Sequence, residues 1–464
     1  MKRLVWITGA AAATLAVLMA QSDFHGVILG NGSLPALAVP DFRGDGQAQS
    51  FMEVFNKTLW TDLAGSGLFK MVAKGSYPLA IPQQLTDFKM APPAGSTPVR
   101  RGQAPPTGGG LWMSDWSSPP AQANYVTVGY SAVQNSLFVL RGWLVDLSIP
   151  DPANAGALAK TYIESLDEAG ARKAAHEFAS DILERFGAKS LFGTHIYFVH
   201  RTGSLKAPVA EIWSMDPDGK NQKPITRYNA VSDFPAASPD GSKVAFTSWV
   251  RGNPGIFVFS VDPVRDLRFY NQRGAAVTAS PSFTPDGKQI VFESSVSGCC
   301  GIFIANVDGS GVHPITTGRV IDAEPKVNPK TGSEIAFSSG RSGPEQIYRM
   351  NIDGTDVERL TDGTGEASNP SWHPDGQFLA YAWTRGYMAG AFNIFVMNVA
   401  RRDYLQLTHS EGKNENPSWA PDGKHIVFMS DRTGRPQIWS MLADGSQQQQ
   451  LTSEGSNLHP VWSK

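Results

Sequence analysis

A short motif that recurs at nearly constant spacing limits the possible folds of this chain more than any other feature. Pro-Asp-Gly appears four times in the second half of the sequence, and a related segment, Asn-Pro-Lys-Thr-Gly, fills the single gap in the series. The prolines stand at positions 239, 285, 329, 374 and 421, so each copy follows the previous one by about 45 residues. A fixed period of this length is typical of proteins built from stacked structural repeats.

The residues around each motif predict four short strands per repeat. A Pro followed two places later by an apolar residue usually precedes the motif, and two runs of β-branched and aromatic residues follow it. In most copies a turn and a final Leu-Thr or Ile-Thr come next, and the turn is often Asp-Gly, because glycine readily adopts the positive φ of tight turns. Four antiparallel strands in about 45 residues are typical of a β-propeller blade, and one blade cannot bury both of its faces alone.

The two ends of the repeat region together supply the sixth blade. Segments 195–199 and 211–215 have the pattern of second and third strands, but no first strand precedes them. The missing strand is at the C-terminus, where Pro460-Val461-Trp462 repeats the Pro-x-Trp pattern. A ring closed in this way leaves no free sheet edge. The sequence therefore predicts an all-β six-bladed β-propeller over residues 191–464, closed by the C-terminal strand.

The part of the chain before the propeller predicts a small α/β domain over residues 34–190. Segments with strand and helix patterns are interleaved in it. Strands are predicted at 34–39, 125–128 and 137–147, and helices at 48–63 and 167–186. The segment 91–120 is rich in Pro, Gly and Ser, and we expect it to be a long irregular insertion outside the core.

The first residues predict an export signal. Lys2 and Arg3 precede an apolar run that ends at Ala20, and polar residues follow it. This order is typical of a secretory signal peptide, which we expect over residues 1–20. An uncleaved membrane anchor is the alternative, because Leu18 does not fit the small residue expected three places before the cleavage site.

Composition and motifs argue against several classes of function. The 40 basic and 42 acidic residues give a net charge of −2, which provides no electrostatic footprint for nucleic acid. The sequence has no G-x-S-x-G nucleophile motif. Its nine histidines are scattered and do not have the spacing of metal ligands. We therefore predict a non-enzymatic protein without a metal or other cofactor.

The two cysteines of the chain, Cys299 and Cys300, are neighbours in the sequence. Adjacent cysteines cannot form an ordinary long-range disulfide. Two interpretations stay open at this point: a strained vicinal disulfide in an oxidising compartment, or two small residues in a loop.

Three segments outside the repeat motif resemble the TolB family. Residues 38–42 read Ala-Val-Pro-Asp-Phe, and the first helix closes as Asp-Leu-Ala-Gly-Ser-Gly-Leu-Phe over residues 62–69. A helix that includes Ala174 leads into Phe-Gly-Thr-His-Ile-Tyr-Phe-Val over residues 192–199, which is similar to the domain junction of that family. The resemblance covers residues 34–464, and the insertion near 91–120 departs from it.

Membership of the TolB family implies a non-enzymatic scaffold in the periplasm. Such proteins bind the peptidoglycan-associated lipoprotein Pal through the propeller and the inner-membrane protein TolA through the N-terminal segment, and they support outer-membrane integrity and cell division. The resemblance implies the same partners here, with residues 21–33 as the segment that contacts TolA. We also expect a monomer, with no membrane span in the mature chain.

The residues just before each inner-strand Pro are the predicted Pal site. The loops that enter the innermost strands of a propeller surround the mouth of the central channel, and loops on a rigid scaffold commonly carry function. Here these positions are rich in acidic, amide and hydroxyl groups, which offer a hydrogen-bonding surface. The predicted protein-binding residues are Asp233, Thr278, Ser280, Asp322, Glu324, Glu366, Ser368, Asn369, Asn414, Glu415, Asn416 and His459.

Two alternatives stay open for these residues. The side chains could cap turns and solvate the rim without binding a partner. The channel could also bind or hydrolyse a glycan or a peptide, since carboxylates that face a channel can support acid–base chemistry. If the Pal site is placed correctly, alanine at Asp322, Glu324 and Glu366 together is expected to weaken Pal binding without unfolding the chain.

Overall fold

The computed structural model describes residues 34–91, 108–204, 207–261, 264–270 and 277–464. The predicted signal peptide at 1–20 and the segment 21–33 lie outside the described residues. The described chain forms two compact units, of which the first ends at Phe192 and the second begins at Gly193. No helix in the described ranges is long and apolar enough to cross a membrane.

A mixed β-sheet forms the centre of the first unit. Its strands are β1 (Ala36–Ala38), β2 (Arg43–Gly44), β3 (Lys70–Met71), β4 (Tyr125–Gln134), β5 (Leu137–Asp146) and β6 (Gly156–Ser165). They run in the order β3-β1-β4-β5-β6, and β2 pairs with β4 beside this path. The pairs β1–β3, β1–β4 and β2–β4 are parallel, whereas β4, β5 and β6 are antiparallel. The predicted strands correspond to β1, β4 and β5. The sequence pattern does not predict β6, in which apolar and polar residues alternate only weakly.

Among the described residues of this unit, three α-helices accompany the sheet: α1 (Met52–Gly65), α2 (Met113–Ser117) and α3 (Glu168–Arg185). Short 3-10 turns lie at Gly46–Phe51, Lys74–Ser76 and Leu85–Asp87. The first of these turns leads directly into α1, so the predicted helix 48–63 starts as a 3-10 turn. α1 and α3 pack against one face of the sheet, where Phe55, Leu59 and Phe178 are completely buried in one core cluster.

Helix α3 begins and ends close to where its sequence predicts. The side chain of Asp167 accepts a hydrogen bond from the backbone amide of Gly170 at 2.7 Å, which caps the first turn. At the other end Gly187 has a φ of 75°, a conformation in which glycine carries no Cβ penalty.

The second half of the predicted insertion belongs to the core, so the prediction for residues 91–120 is wrong there. Residues 92–107 lie outside the described residues. Helix α2 packs in the apolar cluster on the other face of the sheet. Trp116 is completely buried, and its indole N–H donates to the carbonyl oxygen of Gly110 at 2.8 Å. The Pro, Gly and Ser content of the whole segment does not reveal two or three apolar residues that are buried within it.

Six four-stranded antiparallel sheets form the second unit, as predicted. The first blade contains β7 (His195–Ser204), β8 (Ala207–Met215), β9 (Lys223–Pro224) and β30 (Ser456–Ser463). The second blade contains β10 (Ser232–Ala237), β11 (Lys243–Ser248), β12 (Gly255–Val261) and β13 (Val264–Tyr270). The third contains β14 (Thr278–Phe283), β15 (Gln289–Ser294), β16 (Gly301–Asn306) and β17 (His313–Pro314). The fourth contains β18 (Asp322–Val327), β19 (Glu334–Ser339), β20 (Gln346–Asn351) and β21 (Glu358–Arg359). The fifth contains β22 (Ala367–Trp372), β23 (Phe378–Trp383), β24 (Asn393–Asn398) and β25 (Tyr404–Gln406). The sixth contains β26 (Asn414–Trp419), β27 (His425–Ser430), β28 (Gln437–Leu442) and β29 (Gln449–Gln450).

The Thr that ends most repeats has a structural role. Its hydroxyl oxygen accepts a hydrogen bond from the backbone amide of an Ile near the start or middle of the third strand. The same bond recurs in five blades at 2.9 to 3.1 Å, with the amides of Ile212, Ile302, Ile347, Ile394 and Ile438 as donors. It ties the end of the repeat to the blade where the outermost strand is only two or three residues long.

The C-terminal strand closes the ring, as predicted. Trp462 of β30 pairs with Ile196 of β7 in an antiparallel register. Its indole N–H donates to the hydroxyl oxygen of Thr194 at 2.9 Å, and its backbone amide donates to Ser418 of the sixth blade at 3.1 Å. The two ends of the propeller sequence are therefore held in one sheet.

Candidate protein-binding site at the channel mouth

The inner strand of every blade contains a β-bulge at the residue before its Pro. The pairing register between the first and second strands shifts at this point in all six blades. The six bulge residues have positive φ values between 46° and 55°, and they are Phe234, Ser280, Glu324, Asn369, Asn416 and His459. Pro fits next to a bulge because the hydrogen-bond ladder is already interrupted there and Pro has no N–H to donate.

The predicted site residues lie in the inner strands and not in the loops before them, which corrects the expectation. All of them except Glu366 fall within β10, β14, β18, β22, β26 or β30, and Glu366 comes directly before β22. A bulged strand resembles a loop in sequence, because it contains polar residues and a Pro within a run of only six residues.

The bulge residues surround a cavity of about 110 Å³ that marks the central channel. All six line it, together with the prolines that follow four of them and with Lys326. A bulge changes the direction of its side chain relative to the regular alternation of the strand. The ring therefore presents one side chain per blade to the channel. Five of these six residues were among the predicted ones, and Phe234 takes the place that the prediction gave to Asp233.

Hydrogen bonds between blades hold part of this ring in place. The carboxylate of Glu324 accepts bonds from the backbone amide of Asn369 at 2.7 Å and from its side-chain amide at 2.6 Å. The side-chain oxygen of Asn369 accepts the backbone amide of Asn416 at 3.3 Å. A bulge side chain thus supports the bulge backbone of the following blade, from the fourth blade to the sixth.

His459 and Asp233 join the first and second blades at the same level. Their side chains form a short hydrogen bond, and Phe234 stacks on the imidazole with ring centroids 4.6 Å apart. Enclosure in the channel disfavours the charged imidazole, but the carboxylate of Asp233 raises the pKa of His459 above its ordinary value. Burial alone would raise the pKa of the Asp233 carboxyl group, but the interaction with His459 outweighs this effect and lowers the pKa. The geometry and both shifts favour an ion pair.

The predicted residues at the start of the inner strands have structural roles. Asp322 is buried, and its carboxylate accepts bonds from Ser339 at 2.6 Å and from Arg341 at 2.8 Å. Asn414 is fully buried and accepts a bond from Arg432 at 2.9 Å. Alanine at Asp322 leaves Arg341 and Ser339 without this acceptor inside the blade. The triple alanine variant that includes Asp322 is therefore expected to destabilise the fold as well, which corrects the test derived from the sequence.

The other predicted residues differ in how far solvent reaches them. Thr278, Ser280 and Ser368 are buried. Glu415 is half-buried and forms an ion pair with Lys413 at 2.9 Å. Glu366 is exposed, and it is its backbone amide that bonds to Thr384, at 2.8 Å. Glu366 is thus the carboxylate of the predicted set that a partner can reach most easily.

Two carboxyl groups near the channel mouth were not predicted. Burial, followed by the nearby charge of Glu324, raises the pKa of Glu293 to about 7. Burial, followed by the charges of Glu324 and Glu366, raises the pKa of Glu345 to about 7. Burial lowers the pKa of Lys326, although the charges of Glu324 and Glu293 oppose this shift. One signal in the sequence could have indicated Glu293, because this carboxylic acid directly follows the buried apolar run Ile290-Val291-Phe292 within β15.

The fold and the channel mouth together define a class of protein: a closed six-bladed β-propeller that follows an α/β domain and presents one bulge side chain per blade to its channel. In the described residues, no group of three or more His, Cys, Asp or Glu side chains is placed to hold a metal ion. The family model described as the TolB beta propeller domain matches residues 184–389 and 362–464. The chain belongs to this family, and the resemblance seen in the sequence is confirmed.

Individual relatives agree with this assignment. A Tol-Pal system protein TolB from Dinoroseobacter shibae is 28% identical over 231 residues, which are 49% of this chain and 45% of that protein. A protein TolB homolog from Chlorobium luteolum is 37% identical over 105 residues, which are 22% of this chain and 23% of that protein. The chain thus spans half or less of the length of the curated relatives it matches. The crystal structure of TolB from Acinetobacter baumannii has a TM-score of 0.70 and 22% identity, covering 93% of this chain and 97% of that one, so the fold is shared.

Proposed function

We propose that the protein is a non-enzymatic scaffold of the Tol–Pal system that binds the lipoprotein Pal at the mouth of its propeller channel. The observation that carries this proposal is the ring of six bulge residues, five of them polar, around one opening. Hydrogen bonds between blades hold several of these side chains before any partner arrives. Preorganised groups lose little conformational entropy on binding, which favours a recognition surface.

The N-terminal segment 21–33 is the proposed contact for TolA. It follows the predicted signal peptide 1–20, which would deliver the chain to the periplasm, and the pair of partners would support outer-membrane integrity and cell division. The segment contains Phe24, Val27, Ile28 and Leu29, which could add to a sheet edge or occupy a groove. Deletion of residues 21–33 is expected to abolish TolA binding and to leave Pal binding unchanged. Retained TolA binding would refute this part of the proposal.

Charge reversal at Glu366 tests the channel-mouth site with little risk to the fold. The side chain is exposed, and a lysine there would place a cation beside the channel. Glu366→Lys should weaken the binding of purified Pal by about tenfold or more, because reversing a charge in an interface replaces attraction by repulsion. Isothermal titration calorimetry with the chain from Gln21 onward measures the effect.

A matched variant at the other end of the propeller is the control. Asp356 is an exposed carboxylate in the turn between β20 and β21, at the end of the blade away from the bulges. Asp356→Lys changes the net charge by the same amount and should leave the affinity for Pal unchanged. Equal loss in both variants would indicate a general charge effect, and no loss in either would contradict the proposed site.

A pull-down from detergent-solubilised envelopes addresses the identity of the partner. Recovery of a small peptidoglycan-binding lipoprotein with the tagged chain supports the proposal. If none is recovered with a folded and exported protein, the proposal fails, and the alternative that the channel binds or hydrolyses a glycan or a peptide comes forward.

A further inference from the structure

The two cysteines lie on the channel-mouth side of the third blade. They are in the connection between β15 and β16, and this connection is at the end of the blade where the inner strand β14 begins, because Thr278 and Gly301 both pair with Ser294. Both thiols are free, and both residues are partly exposed. They are therefore open to reagents that approach the channel mouth.

The backbone around the pair leaves room for a change of conformation. Within the part of the chain that the structure describes, the carbonyl oxygen of Cys299 and the amide nitrogen of Cys300 have no hydrogen-bond partner. The peptide group between the two residues can therefore rotate without loss of a hydrogen bond. The carbonyl oxygen of Cys300, by contrast, accepts the backbone amide of Asp322 at 3.0 Å and so links the pair to the inner strand of the next blade.

A disulfide between adjacent residues is strained and for that reason reversible. Consecutive Cα atoms are about 3.8 Å apart, whereas disulfides usually join Cα atoms about 4.4 to 6.8 Å apart. Strained and exposed disulfides have more oxidising potentials than structural ones and are the labile class. A bond formed here would stabilise the fold little, but it could be made and broken repeatedly.

We propose that Cys299 and Cys300 form a reversible dithiol–disulfide site, oxidised by exchange with a disulfide of the glutathione type or of a thiol oxidase. The thiolate of Cys299 attacks one sulfur of the incoming disulfide and displaces the other as a thiolate. The thiolate of Cys300 then attacks the Cys299 sulfur of this mixed disulfide and displaces the second thiolate. The two cysteines lose two electrons to the incoming disulfide, and their two protons go to the two released thiolates.

The surroundings assign these two roles to the two thiols. Burial, followed by the charge of Glu293, raises the pKa of the Cys300 thiol. The thiolate is the nucleophile, so a raised pKa makes Cys300 the less suitable residue for the first attack. Cys300 is better placed as the resolving residue, since its neighbour is then already activated as a mixed disulfide.

Oxidised glutathione is the probe that tests the proposal. The reduced full chain, incubated with an excess of oxidised glutathione, should lose two hydrogens in mass and both of its alkylatable thiols, and dithiothreitol should restore both. Cys300→Ser should instead retain one bound glutathione, because no second thiol can resolve the mixed disulfide. Cys299→Ser should acquire glutathione more slowly than Cys300→Ser does.

Two results would overturn the proposal. One is a wild-type chain that accumulates bound glutathione as Cys300→Ser does; the other is a wild-type chain that keeps both thiols free while Cys300→Ser is glutathionylated. Circular dichroism on all three proteins confirms that each is folded, since both cysteines lie outside the strands. Because the readout is mass and thiol content, its outcome is independent of whether the chain binds Pal.

Discussion

At the residue scale, Asn369 shows how backbone and side chain contribute separately to the channel mouth. Its amide and carboxamide groups bond to Glu324, and its own oxygen receives the amide of Asn416. Its φ is 55°, in the left-handed region where Asn is found more often than most residues other than Gly. The position therefore requires both a permissive backbone and a side-chain amide.

Two substitutions at Asn369 separate these requirements. Asn369→Gly and Asn369→Ala both remove the side-chain bonds, but only alanine has the steric conflict of a Cβ at positive φ. The glycine variant should therefore have the higher free energy of unfolding, by about 1 kcal/mol. Urea denaturation of both variants measures the difference. A more stable alanine variant would mean that the positive φ is not maintained.

The carboxyl group of Glu293 should make the folded chain less stable as the pH rises. Its pKa is raised from 4.5 to about 7 in the folded state, so the folded chain holds this proton over a range in which the unfolded chain has lost it. Stability falls with pH wherever the folded state binds more protons. Glu293→Gln removes this effect.

The comparison of Glu293→Gln with the wild-type chain contains its own control. Near pH 4 the native carboxyl group is neutral, and the two proteins should have similar free energies of unfolding. Toward pH 8 the variant should become the more stable one. Urea denaturation at a series of pH values measures this, and parallel curves for the two proteins would contradict the assignment.

At the scale of elements, helix α2 is an example of an element that hydrophobic periodicity cannot predict. The helix has five residues and stands after a Pro- and Gly-rich stretch, too short for a helical period to be visible. Its importance comes from Trp116, which is completely buried and has a ring contact with Tyr77 at 5.5 Å. A single large side chain can thus anchor a segment whose composition is typical of a loop.

The role of α2 predicts a large effect of one substitution. Trp116→Ala should lower the free energy of unfolding of the first unit by about 3 to 5 kcal/mol, because it leaves a cavity in the core. Leu79 is fully exposed, and Leu79→Ala should change stability little. Chemical denaturation followed by tryptophan fluorescence compares the two. Similar effects of both substitutions would show that α2 is not part of the core.

At the scale of the whole molecule, the propeller depends on a strand from the far end of the chain. β30 supplies the inner strand of the first blade, and its Trp462 bonds to Thr194 of that blade and to Ser418 of the sixth. Without β30, strand β7 would have an unpaired edge beside the channel. Open edges of this kind promote aggregation.

Removal of residues 456–464 should therefore prevent stable closure of the ring. We expect a chain that aggregates, or one whose propeller unfolds at a much lower temperature. Removal of the exposed Lys464 alone is the matched control and should have little effect. Differential scanning calorimetry measures both. A normal unfolding temperature for the longer truncation would contradict the role of β30.

The sequence alone determined the repeating architecture. The residues of one repeat suffice to predict the strands of its blade, because they contain a turn with positive φ, β-forming runs and a final Thr. The same pattern then identifies the other repeats. The period then gives the number of blades, and the displaced Pro-Val-Trp segment at residues 460–462 reveals how the ring closes. The apolar spacing of α1 and α3 likewise indicates their positions, because one face of each helix is buried on the sheet.

Only the tertiary structure decided which polar residues face the channel and which hold the blades together. Asp322 and Glu324 are two residues apart in one strand, yet the first is buried in an ion pair with Arg341 and the second lines the cavity. The bulge at Glu324 and the contacts from neighbouring blades make this difference. Burial, followed by the charge of Glu324 on another blade, raises the pKa of Glu293. The burial and the pKa of these side chains depend on groups that are distant in sequence, so the local pattern of one repeat cannot predict them.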